Sequence, residues 1–204
     1  MILRVHPDNP QERLIRQVVK VLEAGGVIIY PTDTVYGFGC DLENRKAIER
    51  LYQLKQADRK KPMSIICPDL SQLSAYCASL PTSSYRVIKR LTPGAYTFIL
   101  EASDKVPRMM LTRQRTIGIR VPDSPICQAI LKMLGRPILS SSITLHTTDH
   151  MIEDPDEIEE EWGNRVELVL DGGILVAEPS SIVDLTSGSP EVIRVGKGDV
   201  SSLM

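Results

Sequence analysis

The segment Tyr30-Pro-Thr-Asp-Thr-Val-Tyr-Gly-Phe-Gly-Cys40 carries more information than any other part of this chain. The apolar run 27–30 that leads into it is short, β-branched and bounded by Gly-Gly and proline, which predicts a buried strand. Hydroxyl groups and a carboxylate follow the strand, and two glycines let a ligand or another backbone come close. Strand ends of this kind hold small polar ligands. The alternative is a structural turn whose threonines cap the backbone.

Helical and strand patterns alternate on both sides of this segment. Apolar residues at helical spacing predict helices over 10–24, 44–55, 70–76, 82–91, 125–134 and 154–162. Asn9 and Ser124 are the predicted N-caps of two of them, and Gly25 and Gly135 mark their ends. Short β-branched runs predict strands over 63–67, 95–101, 116–121, 137–143, 166–170, 181–185 and 191–195.

This alternation predicts an α/β fold. Strands that follow one another closely near 96–121 and at the C-terminus predict antiparallel pairs, so we expect a mixed sheet. No repeat, low-complexity tract or linker divides the chain, and residues 1–204 are predicted to form one domain.

Composition narrows the classes of protein that fit. Apolar residues make up 42% of the 204 and aromatics only 4%, which predicts a folded chain with an aliphatic core. No long apolar run predicts a membrane span, and the N-terminus lacks the pattern of a secretory signal. Cysteines and histidines are scattered without metal-ligand spacing. We therefore expect free buried thiols, no tightly bound metal, no membrane partner and a cytoplasmic location.

Charge is unevenly distributed along the chain. Seven acidic residues lie between 153 and 161, so the remainder of the chain carries about five net positive charges although the total is −2. Basic residues cluster in three stretches, 55–61, 86–90 and 108–120. Gathered on one face, they would suit phosphates or RNA, whereas most charge runs are solvated surfaces. The candidates for RNA binding are Arg59, Lys60, Lys61, Arg86, Lys89 and Arg90.

Three further polar segments are candidates for holding a nucleotide. Lys55 stands at the end of a predicted helix, where it serves either a phosphate or the helix C-terminus. The segment 139–144, at the end of the predicted strand 137–143, contains three serines and a threonine, which bind either a ligand or local backbone. Ser180 directly precedes the predicted strand 181–185, and Arg194 lies near the end of the predicted strand 191–195. Loop histidines His146 and His150 fit solvated positions better than acid–base roles. Standard Walker, Rossmann and nucleophile-elbow motifs do not occur.

Taken together, these segments resemble the YrdC/YciO family, best known for threonylcarbamoyl-adenylate synthases. The matching motifs are Tyr-Pro-Thr-Asp-Thr-Val-Tyr-Gly-Phe-Gly at 30–39, Leu-Lys-Gln at 54–56, Thr-Pro-Gly at 92–94, Ile-Gly-Ile-Arg-Val-Pro at 117–122, the serines at 140–142 and Ser-Ile-Val-Asp-Leu at 181–185. Their order holds over nearly the whole chain. The opening from His6 is most similar to the YciO branch.

The resemblance implies one YrdC-like α/β domain with a twisted, mostly mixed sheet, flanking helices and a basic concave surface. It implies a pocket there for L-threonine, bicarbonate and ATP with Mg²⁺, or AMP, in which a carbamate oxygen attacks the α-phosphorus to give threonylcarbamoyl-AMP and pyrophosphate. That product serves tRNA adenosine-37 modification. The resemblance names no catalytic residue, and the predicted ligand-binding residues are Thr32, Thr34, Tyr36, Lys55, Arg120, Ser140, Ser142, Ser180 and Arg194.

Two positions depart from the synthase pattern. Synthases carry Lys-x-Arg at the helix end and Ser-x-Asn after the serine strand, where this chain has Ala57 and Thr144. Alanine lacks the bidentate contact of arginine with a carboxylate, a loss of about 1.5–3 kcal/mol. Three functions therefore stay open: an ATP-dependent synthase, a non-catalytic protein that binds double-stranded RNA or tRNA, and a hydrolase of a related modified nucleoside.

Overall fold

A ten-stranded mixed sheet runs through the part of the computed structural model that is described, residues 1–55, 63–111, 113–144 and 151–203. Its strand order is β1-β8-β2-β3-β7-β4-β6-β5-β9-β10. Parallel pairs such as β4/β6 and β5/β9 alternate with antiparallel ones such as β5/β6 and β9/β10. The strands are Ile2–Arg4 (β1), Ile28–Pro31 (β2), Tyr36–Asp41 (β3), Ser64–Ile66 (β4), Tyr96–Glu101 (β5), Thr116–Arg120 (β6), Ile138–Ser142 (β7), Leu168–Asp171 (β8), Ser181–Asp184 (β9) and Glu191–Arg194 (β10).

Helices flank the sheet on both faces. The α-helices within the described ranges are Glu12–Glu23 (α1), Arg45–Leu54 (α2), Leu70–Ala75 (α3), Thr82–Leu91 (α4), Pro125–Leu134 (α5) and Pro155–Trp162 (α6), with short 3-10 helices at Arg108–Met110 and Ser201–Leu203. The predicted helices 82–91 and 125–134 are confirmed with the same bounds. No helix in these ranges combines the length and apolar character needed to cross a membrane.

The predicted caps are confirmed for α5 and wrong for the start of α1. Ser124 accepts a hydrogen bond from the Cys127 amide, and Gly135 ends α5 with a left-handed φ of 74°. Gln11, not Asn9, holds the N-cap position of α1. The ring of His6 accepts hydrogen bonds from the amides of residues 8 and 9, which folds this stretch into a turn before the helix starts.

Two strands were not predicted. β3 contains two glycines, which interrupt its apolar pattern, yet all six of its residues are buried between β2 and β7. β1 is a three-residue edge strand paired in parallel with β8, too short to produce a recognisable pattern. The antiparallel pairs predicted near 96–121 and at the C-terminus are both confirmed.

Alternation along the strands gives the sheet two different faces. The first face packs against α2, α3, α4 and α6, and its strand residues include Phe38, Ile65, Phe98 and Ile119. The second face is covered by α1 and α5 over β2, β8 and the first half of β7. Further along the second face, Ser64 of β4, Thr97 of β5 and Arg120 of β6 line a cavity together with the apolar side chains of Ile66 and Ile182. This difference in cover positions the candidate site.

All four cysteines are buried free thiols, as the sequence predicts. Burial raises the pKa of Cys77 and of Cys127 to about 12, because the interior disfavours the thiolate. Burial also raises the pKa of Cys40 and Cys67 well above the ordinary value. These side chains therefore pack as small apolar groups.

Candidate functional site

A polar cavity of about 170 Å³ lies on the second face of the sheet, next to the part of that face that α1 and α5 cover. Alternation along the strands explains most of this lining: Ser64 and Ile66 of β4 face the cavity, whereas Ile65 between them packs into the core on the first face. Its lining residues are Thr34, Val35, Met63, Ser64, Ile66, Thr97, Arg120, Ser140, Ser141, Ser142, Met151, Pro179, Ser180, Ile182 and Arg194.

Two glycines keep the floor of the cavity low. A Cβ on Gly118 would lie 3.0 Å from the hydroxyl oxygen of Ser64 and 3.2 Å from the methyl of Thr97. A Cβ on Gly37 would lie 3.2 Å from the hydroxyl oxygen of Ser140. All three distances are shorter than ordinary contacts, so any side chain at either position would press against the residues that line the cavity.

The turn between β2 and β3 is held by the hydroxyl of Thr32. Its oxygen donates to the carbonyl of Val35 at 2.6 Å and accepts the amides of Thr34 and Val35, both at 3.1 Å. Because that donation uses its only hydrogen, the 3.0 Å contact between the two threonine hydroxyls requires Thr34 to donate to Thr32. Thr32 therefore caps the turn, and Thr34 is the threonine that lines the cavity.

Arg120 enters the cavity from the end of β6 and is anchored to this turn. Its Nη2 donates to Asp33 Oδ1 at 2.7 Å and to Thr34 Oγ1 at 3.1 Å. The arginine and aspartate side chains are only 10% and 7% exposed, so solvent screens this ion pair weakly. The segment after the strand is tied in as well, because the Asp123 amide donates to Asp33 Oδ2 at 3.1 Å.

Arg194 reaches the opposite wall of the cavity from edge strand β10. Its Nε and Nη2 donate to the carbonyl of Ser180 at 3.0 and 2.7 Å. The Ser180 hydroxyl lies 2.8 Å from that of Thr97, so these two hydroxyls form one polar unit at the base of the arginine. Partial burial, and in second place the nearby charge of Arg120, lowers the pKa of Arg194. The guanidinium groups of Arg120 and Arg194 therefore repel each other within one cavity, and a bound anion would offset this repulsion.

The serine strand serves both structure and cavity. Ser140 accepts a hydrogen bond from the Tyr30 hydroxyl at 2.8 Å and donates to the carbonyl of Phe38 at 3.0 Å, so its hydrogen is already used. Ser142, two residues further along β7, also lines the cavity. The ammonium of Lys55 donates to the Ser142 carbonyl at 2.6 Å, which links the end of α2 to the end of β7. Lys55 thus lies beside the cavity wall and is not among its lining residues.

The structure brings together six of the nine predicted ligand-binding residues: Thr34, Arg120, Ser140, Ser142, Ser180 and Arg194. Tyr36 is placed elsewhere, because β3 turns it to the first face together with Phe38. Its hydroxyl donates to the Gly173 carbonyl at 2.7 Å and accepts the Gly172 amide at 3.1 Å. Burial raises the pKa of Tyr36 to about 12.

Three of the predicted RNA-binding residues, Arg86, Lys89 and Arg90, are not among the residues that line the cavity. Arg86, Lys89 and Arg90 are exposed on α4, whose Ile88 packs into the core on the first face of the sheet. The basic cluster of α4 therefore lies on the opposite side of the sheet from the cavity. Arg59, Lys60, Lys61 and Ala57 lie outside the described residues, as do His146 and His150. Among the residues described, no three His, Cys, Asp or Glu side chains are grouped to hold a metal ion.

Sequence reasoning missed three residues of the site. Asp33 was noted as a carboxylate between threonines, but its pairing with Arg120 spans 87 positions in sequence. Thr97 of β5 faces the cavity, because alternation along the strand points its side chain to the face opposite that of Phe98. Lys197 donates to the main-chain carbonyl of Asp33 at 2.6 Å and has no local pattern that predicts this contact.

A family model for Sua5, YciO and YrdC proteins, described as telomere recombination, matches residues 20–196. The chain belongs to the Sua5/YciO/YrdC family. Within the family, YciO of Escherichia coli (strain K12) is 43% identical over 201 residues, which cover 98% of this chain and 97% of that protein. Threonylcarbamoyl-AMP synthase of Vibrio vulnificus (strain YJ016) is 32% identical over 162 residues, or 78% of this chain and 87% of the synthase.

Solved structures of the family confirm the α/β fold with its mixed sheet. The crystal structure of E. coli YciO matches with a TM-score of 0.94 and 42% identity, covering 100% of this chain and 99% of that one. P. abyssi Sua5, solved in complex with L-threonine, matches with a TM-score of 0.89 and 26% identity. That match covers 96% of this chain and 57% of the Sua5 chain.

Proposed function

We propose that the cavity binds an adenine nucleotide together with a small amino acid, and that the protein catalyses the reaction class of its threonylcarbamoyl-AMP synthase relatives. In that reaction the carbamate formed from L-threonine and bicarbonate attacks the α-phosphorus of ATP. A carbamate–phosphorus bond forms, the bond from the α-phosphorus to the bridging oxygen breaks, and pyrophosphate leaves with the electron pair. The single observation that carries the proposal is the convergence of Arg120 and Arg194 on one hydroxyl-lined cavity.

The charges of the cavity suit this chemistry. Phosphoryl transfer needs cations and donors that stabilise charge on phosphate oxygens, and it needs little covalent participation by the protein. Arg194 supplies one guanidinium and Arg120 a second, while Thr97, Ser142 and Ser180 supply hydroxyls on the surrounding walls. These groups match phosphate and carboxylate oxygens by type, because arginine forks bind both classes of oxyanion.

Magnesium fits this arrangement as a companion of the nucleotide. The described lining residues contribute cations and hydroxyls, and the one carboxylate next to them, Asp33, is already paired with Arg120. Mg²⁺ would therefore be held through the phosphates of ATP, which is its usual mode at nucleotide sites. When bound, it would supply neutralisation of phosphate charge, whereas this chain supplies orientation through its arginines and hydroxyls.

Relatives support the amino-acid half of the proposal. Sua5 of P. abyssi binds L-threonine in a fold that matches this chain with a TM-score of 0.89. Thr144, which replaces the asparagine of the synthase pattern, directly follows the apolar residue after β7 and is partly buried. With Ala57 in place of arginine, we expect weaker binding of the amino-acid carboxylate than in the synthases.

The direct test is pyrophosphate release with ATP, Mg²⁺, bicarbonate and L-threonine. We expect release that depends on threonine and that falls about tenfold in Arg194→Met at ATP concentrations below saturation. Arg13→Met serves as the matched control, because Arg13 is exposed on α1 and is not among the residues that line the cavity. Release that ignores threonine, or that survives unchanged in Arg194→Met, would refute the proposed reaction at this site.

A second candidate function rests on α4. Arg86, Lys89 and Arg90 are exposed there, and none of them makes an ion pair with a described residue. Such a basic helix face suits the phosphates of double-stranded RNA, which proteins contact through backbone and shape. Replacing all three residues by glutamine should lower the slope of log affinity against log salt while leaving nucleotide binding unchanged. Equal RNA affinity in wild type and triple variant would remove this candidate.

A further inference from the structure

Asp33 is the point at which three separate parts of the cavity wall are joined. Its Oδ1 accepts from Arg120 on β6 at 2.7 Å, and its Oδ2 accepts from the Asp123 amide at 3.1 Å. Its main-chain oxygen accepts from the ammonium of Lys197, which follows β10, at 2.6 Å. The carboxylate is 7% exposed. All three acceptor oxygens of this residue are therefore used to hold other residues.

Arg120 is fixed by one edge of its guanidinium only. Nη2 is shared between Asp33 and Thr34, whereas Nε is buried and has no hydrogen-bond partner among the described residues. The side chain lines the cavity and is 10% exposed. A buried donor without a partner is costly. The anchored edge thus orients a donor that the folded chain itself leaves unused within the described residues.

Orientation of Arg120 also has an electrostatic side. Arg194 shares the cavity, and two like charges repel each other where solvent is partly excluded. Asp33 compensates Arg120, so the guanidinium stays in the cavity without a ligand. The loop after β10 supports the arrangement from the far wall, because Lys197 donates its amide to the Pro179 carbonyl at 2.9 Å while its ammonium reaches Asp33.

We propose that Asp33 is a positioning residue, which holds Arg120 so that Arg120 and Arg194 form a subsite for one oxyanion of the substrates. The proposal rests on the proposed function and deepens it, since the oxyanion is either the carboxylate of the amino acid or a phosphate of the nucleotide. Lys197 is the tether that keeps the turn carrying Asp33 against this subsite. Asp33 acts in this proposal through the residues that its oxygens hold, Arg120, Asp123 and Lys197.

The test compares Asp33→Asn, Arg120→Met and the double variant, with Asp8→Asn as the matched control on the exposed N-terminal turn. Exchange of the Arg120 Nε–H, followed by ¹⁵N NMR of the free protein, reports orientation without any ligand. Calorimetry with AMP alone and with L-threonine alone distinguishes a phosphate from a carboxylate. We expect Asp33→Asn to speed this exchange at least tenfold and to weaken one of the two ligands about tenfold, whereas Asp8→Asn changes neither.

The double variant separates positioning from general structural damage. If Asp33 acts through Arg120, adding Asp33→Asn to Arg120→Met causes no further loss of ligand affinity. A further loss, or an Asp33→Asn protein with unchanged exchange and affinity, overturns the proposal. Should Asp33→Asn fail to fold, Lys197→Gln replaces it, with a smaller increase in exchange expected and no increase refuting the tether. A wild-type protein that binds neither ligand refutes the proposed function and this subsite with it, whereas binding that ignores Asp33 refutes only the subsite.

Discussion

Replacing Arg194 by methionine should separate the role of this arginine in ligand binding from its role in the fold. Methionine has a similar length and no charge. The arginine is exposed, so the charged contact that it makes with a ligand oxygen falls at the lower end of the usual range, about 1.5 kcal/mol. We therefore expect the dissociation constant for AMP to rise about tenfold.

The same change has a cost for stability that the structure also defines. The Ser180 carbonyl accepts both Nε and Nη2, at 3.0 and 2.7 Å, and Ser180 is buried. Loss of these donors costs about 1 kcal/mol, which lowers the melting temperature of a domain of this size by about 2–4 °C. Arg194→Lys retains the charge but not the two-pronged contact, so it should lose stability while keeping most of the affinity.

Calorimetry with AMP and thermal unfolding of the same samples measure both effects. The Arg13→Met control should leave the affinity and the melting temperature within experimental error of the wild type. An Arg194→Met protein that is destabilised yet binds AMP as tightly as the wild type would show that the arginine only supports Ser180. That result would refute the assignment of a phosphate or carboxylate contact to Arg194.

Three further changes test other parts of the account. Lys55→Met removes the hydrogen bond from Lys55 to the Ser142 carbonyl at the end of β7. Because Ser142 lines the cavity, the change should weaken AMP binding several-fold and lower the melting temperature by about 2–4 °C, measured as above. Ala57→Arg combined with Thr144→Asn should raise threonine-dependent pyrophosphate release, because it restores the contacts that orient the amino acid; no gain in a folded double variant would show a pocket built for another substrate. Burial raises the pKa of Cys127 and Cys77 to about 12, so the native protein should resist alkylation by iodoacetamide at pH 8. The urea-unfolded protein should be labelled at all four cysteines, and rapid labelling of the native protein would contradict their burial in the core.

The sequence predicts the elements of this fold because each has a local cause. Ser124 and Gly135 punctuate α5 at the positions that the structure confirms, since a serine cap and a left-handed glycine act over a few residues. β3 was not predicted because Gly37 and Gly39 carry no side chain to reveal the alternation, although their lack of a Cβ is what lets Ser140 and Tyr30 pack against this strand.

The candidate site is less accessible to such reasoning because its geometry is non-local. Thr34, Ser142 and Arg194 were predicted from their residue types at strand ends, and they do line the cavity. Tyr36 was assigned to the same site, but it alternates with Gly37 along β3 and so points to the other face. The ion pair of Asp33 with Arg120 joins residues 87 positions apart, which no spacing within one segment predicts.

A crystal structure of the protein soaked with AMP and L-threonine tests the central claim most directly. The account predicts both ligands in the cavity on the second face of the sheet, with an oxyanion within hydrogen-bonding distance of the guanidinium groups of Arg194 and Arg120. It also predicts that the bond between Asp33 and Arg120 is retained in the complex. AMP bound elsewhere on the protein, or a cavity without either ligand at concentrations that saturate binding in solution, would contradict the account.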